Sequence, residues 1–156
     1  MTKTNVLVFG SNGLVGSSCV RVLSKSTKVS NIIPSTRDDT NLFSFQETKE
    51  KIVESKPDVV IIAAAKVGGI LANNTYRTEF LIENLKINMN ILEALIDFPD
   101  VQIINLGSSC IYPLNAENPI KEDSIFSGKL EPTNSPYAVA KLSAIELGDA
   151  MSKQFN

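Results

Sequence analysis

The chain alternates short apolar runs with longer stretches of helical periodicity. Asn5 to Phe9 (NVLVF) is a continuous apolar run ending at Gly10, the pattern of a strand buried on both faces. Leu14 to Leu23 then sets Leu14, Val15, Cys19, Val22 and Leu23 at helical spacing. Ser30 to Pro34 predicts a short second strand. Phe43 to Ser55 predicts a charged amphipathic helix closed by Pro57. Asp58 to Ile62 (DVVII), the most apolar run, predicts a third strand. Thr78 to Asp97 predicts a long helix with Leu81, Leu85, Asn88, Leu92 and Leu95 on one stripe, stopped by Pro99. Val101 to Leu106 (VQIINL) predicts a fourth strand. Gly107 to Asn134 carries Pro, Gly, Asn and Ser throughout and reads as irregular. The last helix starts at Ser135 and Pro136, with Ser as N-cap and Pro at the first helical position, and runs to about Gln154. Strands separated by helices imply right-handed crossovers and a parallel sheet with helices on both faces. The expected fold is therefore α/β, a doubly wound parallel sheet.

Composition narrows this picture. The 156 residues allow one domain, long enough to bury a real core. Apolar residues at 43% and charged residues at 21% make the chain globular rather than disordered. A net charge of −2 gives no electrostatic case for nucleic acid or an anionic membrane. There is no histidine, so no Ser-His-Asp or Cys-His catalysis operates within this chain and no His-containing zinc site is formed. Cys19 and Cys110 lie far apart without a CxxC, so neither a disulfide framework nor a metal cluster is expected. The start lacks signal-peptide architecture, and the longest apolar stretch, Val59 to Ala65, is far too short to cross a bilayer. The expectation is a soluble, cytoplasmic protein.

The first candidate site is the loop after the first strand. Gly10, Ser11, Asn12, Gly13, Leu14, Val15 and Gly16 form G-x-x-G-x-x-G between a strand and a helix, a variant of the dinucleotide fingerprint. Gly10 permits a tight turn, Gly13 lets the backbone approach a pyrophosphate, and Gly16 lets the helix pack close to the strand. The helix N-terminus offers free N–H groups and a positive dipole end to the phosphates. This makes the sheet Rossmann-like. After the second strand an acidic residue favours NAD and an arginine favours NADP. Arg37 is the first charge met, and Ser35 and Thr36 are further donors, so NADP is the expected cofactor; Asp38 keeps NAD open.

Tyr137 and Lys141 form Y-x-x-x-K at the start of the last helix, on one helix face. An adjacent ammonium would lower the phenol pKa and let Tyr137 exchange a proton with a carbonyl oxygen. Lys141 would also hold a nicotinamide ribose. Ser108 and Cys110 follow the fourth strand, at the carboxyl end where ligands of such sheets bind. Ser108 would hydrogen-bond a substrate carbonyl beside Tyr137. Cys110 would serve as a base if positive charge depressed its pKa; its alternative is a small buried apolar residue, the reading given to Cys19. Glycine loop, strand-end serine and Y-x-x-x-K, in that order, resemble the extended short-chain dehydrogenase/reductase superfamily.

Longer motifs sharpen the likeness. Ala63 to Ile70 (AAAKVGGI) with Ala72 to Thr75 (ANNT), Leu106 to Pro113 (LGSSCIYP) and Leu130 to Tyr137 (LEPTNSPY) resemble the GDP-L-fucose synthase family. The resemblance implies an NADPH-dependent enzyme that epimerises C3 and C5 of GDP-4-keto-6-deoxy-D-mannose and then reduces C4. It implies that Ser108 and Tyr137 polarise the C4 carbonyl, that Cys110 is the epimerisation base, and that Tyr137 is the proton donor with Lys141 beside it. Gly10 to Gly16, Arg37, Ala63, Ala64, Leu106, Gly107, Ser108 and Ser109, with Tyr137 and Lys141, would line the cofactor. Asn84 matches an asparagine of the superfamily's active site; its alternative is a polar residue on an exposed helix face. A homodimer through the two long helices is implied.

Two departures stand out. Asn12 replaces an arginine that some family members place near the 2′-phosphate. The family's acid partner for Cys110 is a histidine beyond the last helix, and this chain has none. The 156 residues are therefore expected to be a C-terminally truncated NADP-binding domain, inactive alone, with an exposed sheet edge. Another extended sugar-nucleotide epimerase or dehydratase, or a non-catalytic NADP-binding protein, are the alternatives.

Overall fold

The computed structural model describes residues 4–155; residues 1–3 and 156 of the expected 1–156 domain lie outside it. Four strands, β1 (Thr4–Phe9), β2 (Val29–Ser35), β3 (Val59–Ile62) and β4 (Gln102–Asn105), form one parallel sheet in the order β2-β1-β3-β4. Five helices connect and follow them: α1 (Leu14–Leu23), α2 (Phe45–Ser55), α3 (Ile70–Thr75), α4 (Arg77–Leu95) and α5 (Ser135–Phe155). The expected Rossmann-like layout is what forms.

The apolar run of β1 takes an inner position because it has no polar face to offer water. Val6, Leu7, Val8 and Phe9 are all buried. Successive side chains point to opposite faces. Leu7 and Phe9, with Val60 and Ile62 of β3, meet Ile52 of α2, Ile87, Ile91 and Leu92 of α4, and Ala144 of α5. Val6, Val8 and Ile61 meet Cys19, Val20 and Leu23 of α1 on the other face. Cys19 is thus one of the packing residues of α1. Pro34 lies in β2, an edge strand, where a missing N–H is tolerated.

Several boundaries move for local reasons. α2 begins at Phe45 rather than Phe43 because the Ser44 hydroxyl accepts the Glu47 N–H and caps the helix. It ends at Lys56, whose φ of 42° closes it in the left-handed conformation. α5 starts one residue early: the Asn134 carbonyl accepts the Ala138 N–H, so Ser135 lies inside the first turn and is not the cap. The α4 stripe is rotated from the expected one. Phe80, Asn84, Ile87, Asn88, Ile91, Leu92, Ala94 and Leu95 are buried, while Leu81 and Leu85 are half-buried, because α4 packs against both α2 and α5.

At β4 the two faces differ. Ile104 continues the row of Ile61, but α1 does not reach it and it stays 41% exposed. Among the described residues β4 is an edge strand.

Candidate active site

Every candidate residue lies at or near the carboxyl ends of the strands. Gly10 follows β1, Arg37 follows β2, Ala63 and Ala64 follow β3, and Leu106 to Cys110 follow β4. The strand ends are tied together there. The Ser35 carbonyl accepts the N–H groups of Gly10 and Ser11, the Phe9 carbonyl accepts that of Ala63, and the Ile62 carbonyl accepts that of Leu106.

The glycine loop is fixed by two close approaches. Gly10 has φ +78°, and a Cβ there would stand 2.6 Å from the Ala64 nitrogen. A Cβ on Gly16 would stand 2.1 Å from the Gly10 carbonyl oxygen. Gly13 caps α1 without a side-chain hydrogen bond, and no acidic residue occupies the first turn. Those N–H groups are left facing an exposed loop, with Leu14 90% exposed, which is the cradle a pyrophosphate requires. Beside it a cavity of about 360 Å³ is lined by Gly10, Asn12, Gly13, Arg37, Ala63 and Ala64. The donor set and the uncapped helix end fit a dinucleotide phosphate. The same cavity is lined by Thr40 to Phe43, Ala65 and Ile87, which sequence reasoning missed.

Two expected phosphate donors are already committed. Ser35 is buried and its hydroxyl shares a hydrogen bond of 2.9 Å with Thr40. Thr36 donates both its N–H (2.8 Å) and its hydroxyl (2.7 Å) to Asp39. These bonds hold the Asp39 carboxyl below the usual range. Arg37 remains as the exposed cation of this turn. Ser11 is buried, and Val15 is exposed in the first turn of α1.

The residues after β4 meet the start of α5. Lys141 is buried and donates to the Leu106 carbonyl at 2.9 Å, which pins α5 to the end of β4. Its ammonium lies 5.9 Å from the Tyr137 ring centroid. The Cys110 thiol donates to the Ser108 oxygen at 3.2 Å. Burial raises the Tyr137 pKa, negative charge on Cys110 raises it further, and a hydrogen bond from Ser108 lowers it. The expected lowering by Lys141 does not appear: the ammonium is turned onto the Leu106 carbonyl, and burial of the phenol is the largest influence. Burial lowers the Lys141 pKa and charge on Cys110 raises it. Ser108, Cys110, Tyr137 and Lys141 thus form one electrostatically coupled group. Gly107 and Ser109 are exposed beside it.

The exposed alternative for Asn84 is overturned. Asn84 is fully buried and clasps Lys66 by both backbone groups: it accepts the Lys66 N–H at 2.9 Å and donates to the Lys66 carbonyl at 3.0 Å. Lys66 also pairs with Glu83 at 2.6 Å, so the loop after β3 is fastened to α4 twice. Phe80, one turn earlier, meets the Tyr137 ring edge-on at 6.3 Å. Among the described residues, no cluster of His, Cys, Asp or Glu has a metal-binding arrangement. No described helix is long and apolar enough to cross a membrane.

This geometry has close counterparts. GDP-L-fucose synthase of Escherichia coli (strain K12) is 40% identical over 155 residues, covering 99% of this chain and 48% of that protein. Probable GDP-L-fucose synthase 1 of Oryza sativa subsp. japonica is 42% identical over 146 residues, 93% of this chain and 44% of that protein. The crystal structure of a GDP-L-fucose synthetase from Naegleria fowleri bound to NADP superposes with a TM-score of 0.88 at 28% identity, covering 99% of this chain and 50% of that one. The chain spans about half the length of the curated relatives it matches. The model of the NAD dependent epimerase/dehydratase family matches residues 6–156, and with its glycine cradle and coupled strand-end group the chain belongs to that family.

Proposed function

We propose that the protein is a GDP-L-fucose synthase, converting GDP-4-keto-6-deoxy-D-mannose to GDP-L-fucose with NADPH. In this reading residues 1–156 are its NADP-binding Rossmann domain, with the substrate domain and the acid partner of Cys110 supplied outside this chain. The observation that carries it is the junction of Ser108, Cys110, Tyr137 and Lys141 beside the glycine cradle. Relatives named for this activity support it.

The cradle of Gly10 to Gly16 would hold the pyrophosphate, with Arg37 for the 2′-phosphate. NADPH supplies a hydride to C4 when bound. Ser108 and Tyr137 hydrogen-bond the C4 carbonyl, and drawing electron density to that oxygen acidifies the hydrogens at C3 and C5. Cys110 acts as the base that removes those protons, and its acid partner outside this chain returns a proton to the opposite face of each carbon. Tyr137 then gives its proton to the C4 oxygen. A phenol kept neutral by burial is a donor through neutral pH, which suits reduction.

Enzyme and substrate would meet in the cytoplasm. A homodimer would cover the outer faces of the long helices, where Ile82, Met89 and Val139 are exposed and a groove of about 780 Å³ runs along α5. The test uses the intact protein in D2O. Cys110→Ser should slow deuterium entry at C3 and C5 by roughly 10² to 10⁴ while NADPH binding persists. Undiminished exchange would remove Cys110 from this role.

A further inference from the structure

We propose that Arg77, at the first position of α4, is a positioning residue for Tyr137: its guanidinium staples residues 132–135 to α4 and so fixes the first turn of α5. This deepens the function proposed above and rests on it for the identity of the reaction. The guanidinium reaches across 55 residues or more of sequence. One nitrogen donates to the Pro132 carbonyl at 2.8 Å and to the Thr133 carbonyl at 3.3 Å. The other donates to the Ser135 hydroxyl at 3.2 Å. A weaker contact to Asn74, at 3.4 Å, holds the fork against α3. The planar, permanently charged fork of arginine suits such a spread of acceptors.

The segment needs this anchor. Residues 107–134 form no helix beyond two short 3-10 turns, so little regular structure leads into α5. Pro136 brings no N–H to the first turn. The Asn134 side-chain oxygen is buried without a partner and caps nothing. Glu131 orders the segment from within, accepting the N–H groups of Thr133 (3.0 Å) and Asn134 (3.1 Å). The Thr133 hydroxyl, which also donates to Glu131, and then those N–H bonds, aided by Arg77, hold its carboxyl below the usual range. Glu131 gives the turn its shape, and Arg77 gives it a fixed place on α4.

The link to Tyr137 is short. Tyr137 lies two residues beyond Ser135. Phe80 lies three residues beyond Arg77, on the same face of α4, and packs edge-on against the Tyr137 ring. Phe80 is buried, with the Lys66 ammonium 5.8 Å from its ring and Gly68 so close that a Cβ there would stand 2.9 Å from it. The ring against Tyr137 is therefore hemmed in by its neighbours. Arg77 and Phe80 grip the start of α5 at two successive turns, one by backbone and one by ring.

The test compares the intact protein with Arg77→Gln and Glu131→Gln. Tyr137 ionisation is followed by tyrosinate absorbance, with Tyr137→Phe identifying its share. Loosening the turn should admit water to the phenol, so Tyr137 should ionise at lower pH in both variants. The turnover of C4 reduction should fall on the order of tenfold to a hundredfold, the scale of a small misplacement, with the Kd for NADPH within about twofold. A Tyr137 titration unchanged in both variants, with only a lower melting temperature, would overturn the proposal. The titration decides this whichever sugar nucleotide the enzyme reduces, so failure of the substrate assignment is read separately, from absent reduction in the unmutated protein.

Discussion

Gly16 carries the tightest constraint in the cofactor cradle. Any Cβ there collides with the Gly10 carbonyl oxygen, a backbone atom that cannot swing aside. Gly16→Ala must therefore lift α1 from the turn, at a cost of about 1–3 kcal/mol. Chemical denaturation should show that loss, and titration calorimetry should show NADPH binding weakened by about tenfold. A variant with unchanged midpoint and affinity would refute the close packing. The fingerprint made this residue legible, because only glycine suits that spacing. Tyr137 was legible too, by its spacing from Lys141, but the direction of its pKa shift was not. Spacing reports a neighbouring ammonium; it does not report burial, or that the Leu106 carbonyl takes the ammonium as a partner. Ser35 and Thr36 misled for the same reason: their hydroxyls are spent on Thr40 and Asp39.

At the scale of elements, α4 is the spine of the site. Arg77, Phe80 and Asn84 face in turn the entry to α5, the Tyr137 ring and the loop after β3. Asn84→Leu would leave the Lys66 N–H and carbonyl without their partner, a cost of about 1–3 kcal/mol for an unpaired buried group. Denaturation should register it, and the Lys66 amide should exchange faster with solvent; an unchanged exchange rate would show the clasp to be dispensable. The strands and long helices were legible in periodicity to within a residue or two. α3 was not: its Ile70 and Leu71 are 75% and 81% exposed, so it has no amphipathic stripe to read. Arg77 gave no signal either, since its partners lie in an irregular segment far along the chain.

For the whole molecule, the two faces of the sheet set unequal stakes. Ile52 is sealed between α2 and the sheet, and Ile52→Ala should cost about 2–5 kcal/mol. Ile104, on the open face of β4, should tolerate Ile104→Ala within about 0.5 kcal/mol. Urea denaturation of both variants checks the contrast, and equal losses would contradict it. The doubly wound order also has a kinetic side. β1 leaves the ribosome before the other three strands, yet it is an inner strand. Its tie to the residue before β3, the Asn5 N–H on the Asp58 carboxylate at 2.6 Å, joins positions 53 residues apart. At about 5–20 residues per second, this apolar strand waits roughly 3–10 s for that partner to be made. The strand that organises the finished sheet is the one most in need of protection during synthesis.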